Sequence, residues 1–572
     1  MTDLSAVHNA LTERSFTQVK SSLGPRYVGT ITFKGRQISI CLEIFDKTFR
    51  QLPAIQLLER PPEIPTICAH INPNGYLCYL RDDQAYLARN NLGGAVLGCL
   101  EVAERLLERL ANGDALTDFQ DEFSVYWGGL PLLIDIPEET KPGLLTDVAL
   151  LERLKTSERE GLFLLGRDTS ELMSIYSRWD FQVIRPRLKM RVVDSDQPLG
   201  AMSSIWPPKT LTDLQTWLLS DRNSAIKGLY DAVKDAFEHK LDKLVLLIRA
   251  PNTSCCVLID IEFVRRMLPR RSSAEFMRAV FRSSEKTDHS GNKVIKSRAD
   301  KASITRLEPI LSDPRSWLTR NVSDSKAGLA GKNILLIGCG AIGGHLADLL
   351  AKSGAGFLGG TLMLSDPDTL SVGNIGRHIL GFGDLERRKT SAISHQLIDH
   401  YPRIDVKEVT DQSMIRAGLA GIDLVVDATG NQALSLYLNE LKLKRKLDAP
   451  IVFAWVAGSG CGAQAYLFSN DKDACLNCLD YSTPGGSSSV MRKEYEIKLK
   501  NSPGSCGDWL VPFSATAAMH AAALATDLAV GWSKGKPNPR FRSITLDYEG
   551  GKIVKPISPK PNLKCPACAK DR

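Results

Sequence analysis

Apolar and polar positions alternate with a period of two from Tyr27 to Phe45 (YVGTITFKGRQISICLEIF), interrupted only at Lys34-Gly35. That period predicts strands with one buried face, and the Lys-Gly pair predicts the turn between them. A Pro-rich connection (RPPEIP) follows, and then helical spacing from Gly93 to Leu110. Strands followed by a helix, with no strand–helix–strand alternation, predict an α+β domain over residues 1–125. Residues 126–310 carry helical patterns at Asp213–Leu219 and Asn223–Ala236 and two β-like runs, KLVLLIRA and CCVLIDIEF. They predict an α/β linker domain of unassigned role, in which Cys255-Cys256 read as core thiols.

From 311 to 572 the pattern changes again. NILLIG, TLMLSD, DLVVDATG and PIVFAWVAG are nearly continuous apolar runs separated by helical stretches. Parallel strands covered on both faces read this way, so the expectation is a doubly wound α/β, Rossmann-like domain. The apolar stretch Ala515–Trp532 is mostly alanine and contains His520 and Asp527. It reads as a buried helix, not a membrane span.

Composition narrows the class. With 43% hydrophobic and 24% charged residues over 572 positions, the chain can build several cores and is not a disordered polypeptide. A net charge of +7 spread over that length argues for neither nucleic acid nor a membrane as partner. The start, MTDLSAVHNALTERS, lacks the basic and apolar regions of a secretory signal. Thirteen cysteines in an unexported chain therefore read as metal ligands, nucleophiles or core residues, and the expected location is the cytoplasm.

The candidate chemistry begins after the strand Asn333–Ile337, where Gly338, Gly340 and Gly343 form a GxGxxG that opens a helix. Glycines at that spacing let a phosphate approach the helix N-terminus, and Asp366, at the end of the next strand, is placed for ribose hydroxyls. An NAD-dependent dehydrogenase and an ATP-using enzyme fit this much equally well. Asn374, Arg377 and Lys389 follow, and two cations beside a phosphate cradle suit a triphosphate. Cys475-x-x-Cys478 and Cys565-x-x-Cys568 are paired knuckles whose four thiolates suit a closed structural zinc site, tying the tail back onto the domain. Cys506 lies in a Ser-, Pro- and Gly-rich stretch ahead of the alanine-rich helix, a place suited to a nucleophilic thiolate on a loop.

These motifs, with Asp427, resemble the ThiF/MoeB/ubiquitin-activating adenylyltransferase superfamily. The resemblance implies that Asp366 binds the ATP ribose, that Asn374, Arg377 and Lys389 bind phosphates, and that Cys506 takes the acyl group as a thioester. It also implies a homodimer in which Arg320, or else Arg315, reaches ATP of the partner. Gly430 stands where the family usually has a magnesium-binding acid, which leaves Asp427 or Asp368 for Mg2+.

His70-Ile71-Asn72, followed by Asn74-Gly75-Tyr76-Leu77-Cys78, resembles the signature of ubiquitin-conjugating enzymes, with Ile71 in place of a proline and a shortened gap. By that resemblance Cys78 carries a thioester, Asn72 stabilises the oxyanion and His70 packs the loop. The whole is similar to a bacterial fusion of activating and conjugating enzymes, most like the CD-NTase-associated fusion of CBASS anti-phage operons. That implies a protein partner with a glycine-like C-terminal tail, either a CD-NTase or a ubiquitin-like protein, and an amine on a target protein as acceptor. The alternative is a sulfur-carrier adenylyltransferase whose residues 1–125 only bind protein.

Overall fold

The computed structural model describes residues 4–569 apart from 23, 65–67, 73, 81–86, 113–114, 137–139, 155–161, 201–205, 221–223, 268–272, 276, 278–301, 321, 323–327, 410–419 and 502–508. Its contacts divide the chain into two compact units, Met1–Ser312 and Asp313–Arg572.

The first unit opens with helix α1 (Ser5–Glu13) and an antiparallel sheet of β1 (Thr17–Val19), β2 (Arg26–Phe33), β3 (Arg36–Glu43) and β4 (Ala54–Leu57) in sequential order. The β2–β3 turn is two residues long, with φ of 45° at Lys34 and 74° at Gly35, and pairs Phe33 with Arg36. Left-handed backbone at both turn positions matches the twist of the strands it joins. Helix α2 (Leu92–Ala111) is capped by the Asn91 side chain, which accepts from Gly94 N, and lays Val96, Leu100, Ala103 and Leu107 on the sheet.

A short helical pair, α3 (Ala115–Asp121) and α4 (Phe123–Trp127), leads into a closed seven-stranded barrel. Its strands are β5 (Leu130–Asp135), β6 (Leu145–Arg153), β7 (Phe163–Arg167), β8 (Phe181–Asp194), β9 (Lys243–Arg249), β10 (Ser254–Asp260) and β11 (Ile304–Leu311), in the order β10-β11-β5-β7-β6-β8-β9. Alternate residues such as Leu132, Val148, Leu165, Met190, Val245 and Cys256 fill the interior. Their neighbours Leu244, Leu246, Cys255 and Val257 pack outward against α6 (Leu211–Ser220) and α7 (Ala225–Glu238), with α5 (Ser170–Arg178) elsewhere on the surface. Strands β9 and β10 are thus buried on both faces, which is why they read as continuous apolar runs.

Phe119, Phe123 and Trp127 of α3 and α4 belong to this outer barrel core, and so does Ala69 from the loop after β4. Trp127 is anchored twice, its indole donating to Leu307 O at 3.0 Å and its carbonyl accepting from the Arg306 guanidinium. A short helix α8 (Glu262–Met267) follows β10.

The second unit starts with α9 (Pro314–Arg320) and is built on a seven-stranded sheet. The strands are β12 (Ile334–Ile337), β13 (Leu362–Ser365), β14 (Val406–Glu408), β15 (Leu424–Asp427), β16 (Ile451–Ala457), β17 (Gly462–Phe468) and β20 (Phe541–Thr545); β18 (Lys500–Asn501) and β19 (Trp509–Leu510) form a separate ladder. The order is β14-β13-β12-β15-β16-β17-β20, parallel through β16 and antiparallel at β17 and β20. Helices α10 (Ala341–Lys352), α11 (Lys389–His400) and α13 (Ala515–Ser533) cover the face carrying Ile334 and Leu336. Helix α12 (Gln432–Leu443) and the four knuckle cysteines cover the face of Leu335 and Ile337. The chain leaves β12 towards β13 on one side and returns as β15 on the other, so a crevice opens at the C-terminal ends of β12 and β15, where such sheets hold ligands. Among the described residues, no helix is long and apolar enough to cross a membrane.

Candidate active sites

A cavity of about 940 Å3 occupies that crevice. Its walls include Gly338, Gly340, Asp366, Asp368, Asn374, Arg377 and Lys389, residues spread over 52 positions of sequence and brought together by the strand ends. Gly338 has a φ of 90°, and a Cβ there would lie 2.8 Å from Thr429 N. A Cβ on Gly343 would come within 1.8 Å of Gly338 O, so Gly343 seats α10 against the turn. Around Gly340 a Cβ would meet nothing, which leaves its backbone open to an incoming group.

Asp366 ties the glycine turn to the next loop: one oxygen accepts from Cys339 N at 2.6 Å, the other from Asp368 N at 2.8 Å. Lys389, the first residue of α11, is buried and donates to Asp368 Oδ2 at 2.7 Å. Asn374 accepts from Ser371 N and Oγ, and the Arg377 guanidinium lies 5.2 Å from the centroid of Phe513. The cavity floor continues past the polar residues to Trp455, Gly458, Met491 and Leu510.

Two further residues support this site, and of them only Asp427 stands out in the sequence. His378 donates through Nε2 to Cys339 O at 2.7 Å, because its Nδ1 accepts from Leu380 N. Burial holds His378 below the usual histidine range and keeps it neutral in that role. Its one sequence signal is adjacency to Arg377. Asp427 is buried behind the cavity wall, where it accepts from Thr429 N and Oγ1 at 3.0 and 2.7 Å and from the Ser435 hydroxyl. Burial pushes its carboxyl above the ordinary aspartate value. Asp368, not Asp427, is the acid exposed on the cavity wall. Arg320 ends α9 exposed and does not line the cavity. Cys506 falls within 502–508, outside the described residues.

On the opposite face the knuckles meet. Sγ–Sγ distances are 3.7 Å for Cys475–Cys478, 3.6 Å for Cys475–Cys565 and 3.5 Å for Cys478–Cys568, and all four sulfurs lie within 4.8 Å. Four thiolates around zinc at about 2.3 Å would be separated by about 3.8 Å, so the set fits a tetrahedral ion. Burial and the facing thiols push Cys475 above the usual range and Cys568 up to about 11. Burial pushes Cys565 up too, but backbone N–H groups of Ala567 and Cys568, with hydrogen bonds from Cys475 and Cys478, leave that thiol lowered.

In the first unit Cys78 is exposed at the end of a small hairpin that extends the sheet. Leu57 N donates to Gly75 O and Leu77 N to Ile55 O, both at 2.9 Å. Asn72 Oδ1 accepts from the backbone N–H groups of Asn74 and Tyr76 at 2.9 and 3.0 Å, so the amide NH2 is what this side chain has left to donate. His70 packs under the loop, with Nε2 3.1 Å from Asp118 Oδ2, and its carbonyl accepts from Cys78 N at 2.8 Å.

Residues 320–567 match the model of the ThiF family, and residues 4–130 match prokaryotic E2 family B. A Pseudomonas aeruginosa protein, "ATP-dependent ubiquitin transferase-like protein Cap2", is 30% identical over 92% of this chain and 91% of its own length. The chain belongs to the Cap2 family. An Escherichia coli Cap2 is 24% identical over 95% of this chain and 93% of its own. Among solved structures, E. coli MccB with MccA-N7isoASN is 22% identical with a TM-score of 0.32, over 41% of this chain and 66% of that one. As a Cap2-family chain this protein is an ATP-dependent, ubiquitin transferase-like enzyme that joins an activating and a conjugating half.

Proposed function

We propose that this enzyme adenylates the C-terminal carboxylate of a protein partner, a CD-NTase or a ubiquitin-like protein, and passes the acyl group through two thioesters to an amine on a target. What carries the reading is the presence, in one Cap2-family chain, of a phosphate cavity walled by Lys389, Arg377 and Asp368 and an exposed Cys78 on a conjugating-type loop. The partner's carboxylate oxygen attacks the α-phosphorus of ATP, the bond to the β-phosphate oxygen breaks, and pyrophosphate leaves. Lys389 and Arg377 neutralise the charge that gathers on it. Mg2+, held at Asp368, would supply further charge neutralisation on the phosphates. Arg320 would act across a homodimer, in keeping with its exposed place outside its own cavity.

The Cys506 thiolate then attacks the acyl carbon and AMP leaves; Cys78 attacks that thioester and Cys506 leaves as thiolate. Finally an amine lone pair attacks, the C–S bond to Cys78 breaks, the amine loses its proton to solvent, and an amide remains. Asn72 donates its amide N–H to the oxyanion. Zinc in the four-cysteine site is structural, and the setting is CBASS anti-phage defence in the bacterial cytoplasm.

The test is intact mass and non-reducing electrophoresis of the full chain in lysate with Mg-ATP, comparing wild type, Cys506→Ala and Cys78→Ala. A thiol-sensitive protein adduct that Cys506→Ala abolishes, and that stops on Cys506 in Cys78→Ala, supports the relay. A persulfide-sized adduct indifferent to Cys78→Ala transfers the chain to sulfur-carrier chemistry.

A further inference from the structure

The loop that presents Cys78 is held from outside the small sheet domain. His70 has a φ of 66°, a left-handed conformation that a non-glycine residue keeps only where its surroundings impose it. Its peptide groups are fixed at both ends. The backbone N–H donates to the Tyr126 phenol oxygen at 2.6 Å, and the carbonyl accepts from the N–H of Cys78 at 2.8 Å. Tyr126 in turn donates to Glu122 Oε2 at 3.2 Å, and Asp118, from the same helical pair, holds the His70 ring while Arg109 pairs with Asp118 at 2.6 Å.

That helical pair is moored to the barrel. Tyr126 stacks on Phe119, with ring centroids 4.7 Å apart, and Phe119 and Phe123 pack edge-on to Trp206. Trp127 and Trp217, 5.4 Å apart, continue the cluster into the outer barrel core. Burial, first, and then the Glu122 charge and the thiolate form of Cys78 raise the Tyr126 phenol above its ordinary range, so it stays a neutral hydroxyl.

We infer that Tyr126 is a positioning residue for the conjugating step: through the single bond to His70 N–H it holds the backbone that sets the Cys78 thiol, and so makes the barrel part of the conjugating site. The inference rests on the proposal that Cys78 carries a thioester. The barrel then serves as the fixed frame against which the acyl-bearing sulfur is aimed. With the phenol hydroxyl gone, His70 relaxes towards ordinary backbone angles, and Cys78 moves with it because the two share a hydrogen bond.

Tyr126→Phe removes only the hydroxyl and keeps the stacked ring. In the full-length enzyme, single-turnover discharge of the Cys78 thioester to free lysine is expected to slow about tenfold, the size of one part-buried hydrogen bond lost. ATP–pyrophosphate exchange should stay at the wild-type level, and the protein should still unfold cooperatively with a thermal midpoint only a few degrees lower. A second variant, Tyr126→Phe with His70→Gly, removes the backbone cost of the left-handed angle, so its discharge rate should sit no lower than that of His70→Gly alone. Discharge in Tyr126→Phe at the wild-type rate, with Cys78 normally charged, overturns the inference while leaving the relay intact. An unfolded or uncharged Tyr126→Phe overturns it as well, because a general structural role would then account for the residue. No thioester on Cys78 in the wild type marks the failure of the functional reading instead.

Discussion

The Lys389 ammonium lies 2.7 Å from the Asp368 carboxylate, and the two ends of this pair differ sharply in setting: the lysine side chain is 7% exposed and the aspartate 66%. A cation so held has lost most of its water and keeps one solvent-exposed partner. A triphosphate entering the cavity can replace that partner with little further desolvation of the lysine, which is already buried. Lys389→Met should therefore lower ATP–pyrophosphate exchange by about 100-fold or more while leaving the fold intact, a loss typical of one charge stabiliser in an enclosed site. Exchange with radiolabelled pyrophosphate checks it, and near-normal rates would remove Lys389 from the reaction.

The second and third glycines of the turn should separate binding from folding. Gly343→Ala pushes a methyl to within 1.8 Å of Gly338 O, so the backbone must shift and stability should drop by about 1–3 kcal/mol. Gly340→Ala meets nothing, so its stability should stay within about 0.5 kcal/mol of wild type. Its methyl instead occupies ligand space, and ATP affinity should fall. Calorimetric unfolding paired with nucleotide titration reads both.

Asp427 gives a pH signature. Its folded pKa is raised by burial, so the native state holds its proton more tightly than the unfolded chain does. The stability it contributes is complete below the ordinary aspartate pKa of about 4 and is lost as pH rises through the raised folded value. Asp427→Asn cannot ionise, so its melting temperature should gain on wild type as pH climbs above about 4. Parallel melting curves across that range test the sign; a gap that narrows with rising pH contradicts it.

The four-cysteine cluster should hold about one zinc ion per chain, measurable by elemental analysis. Cys565→Ser should lose the ion and lower the melting temperature, because metal binding and closure of the tail are one equilibrium. Limited proteolysis should then cut within 555–569, where wild type resists.

Much of this was legible from pattern. The period of two gave β2 and β3, and Lys34-Gly35 gave their turn, since only a few residue pairs accept left-handed backbone twice in succession. The apolar runs gave the parallel strands, and glycine spacing gave the phosphate turn. Barrel closure was not legible, because β5 pairs with β11 across more than 160 residues and local periodicity is silent about such partners. Nor was the burial of Asp427: a carboxylate after a strand reads alike whether it faces a ligand or, as here, the Thr429 and Ser435 hydroxyls. His378 and Tyr126 were missed for the same reason, since each acts through a backbone atom, and backbone atoms leave no trace in residue identity.

The mooring of α3 and α4 bears on how this protein can be taken apart. Residues 115–127 fall within the stretch that matches an E2 family, yet their aromatic side chains are sunk in the neighbouring barrel. A cut at 125 would sever Tyr126 from the loop it holds, and a cut after 130 would leave Phe119, Phe123 and Trp127 stripped of their packing. The conjugating half is therefore not a cassette that can be lifted out and grafted elsewhere; to transplant it one must carry the barrel along.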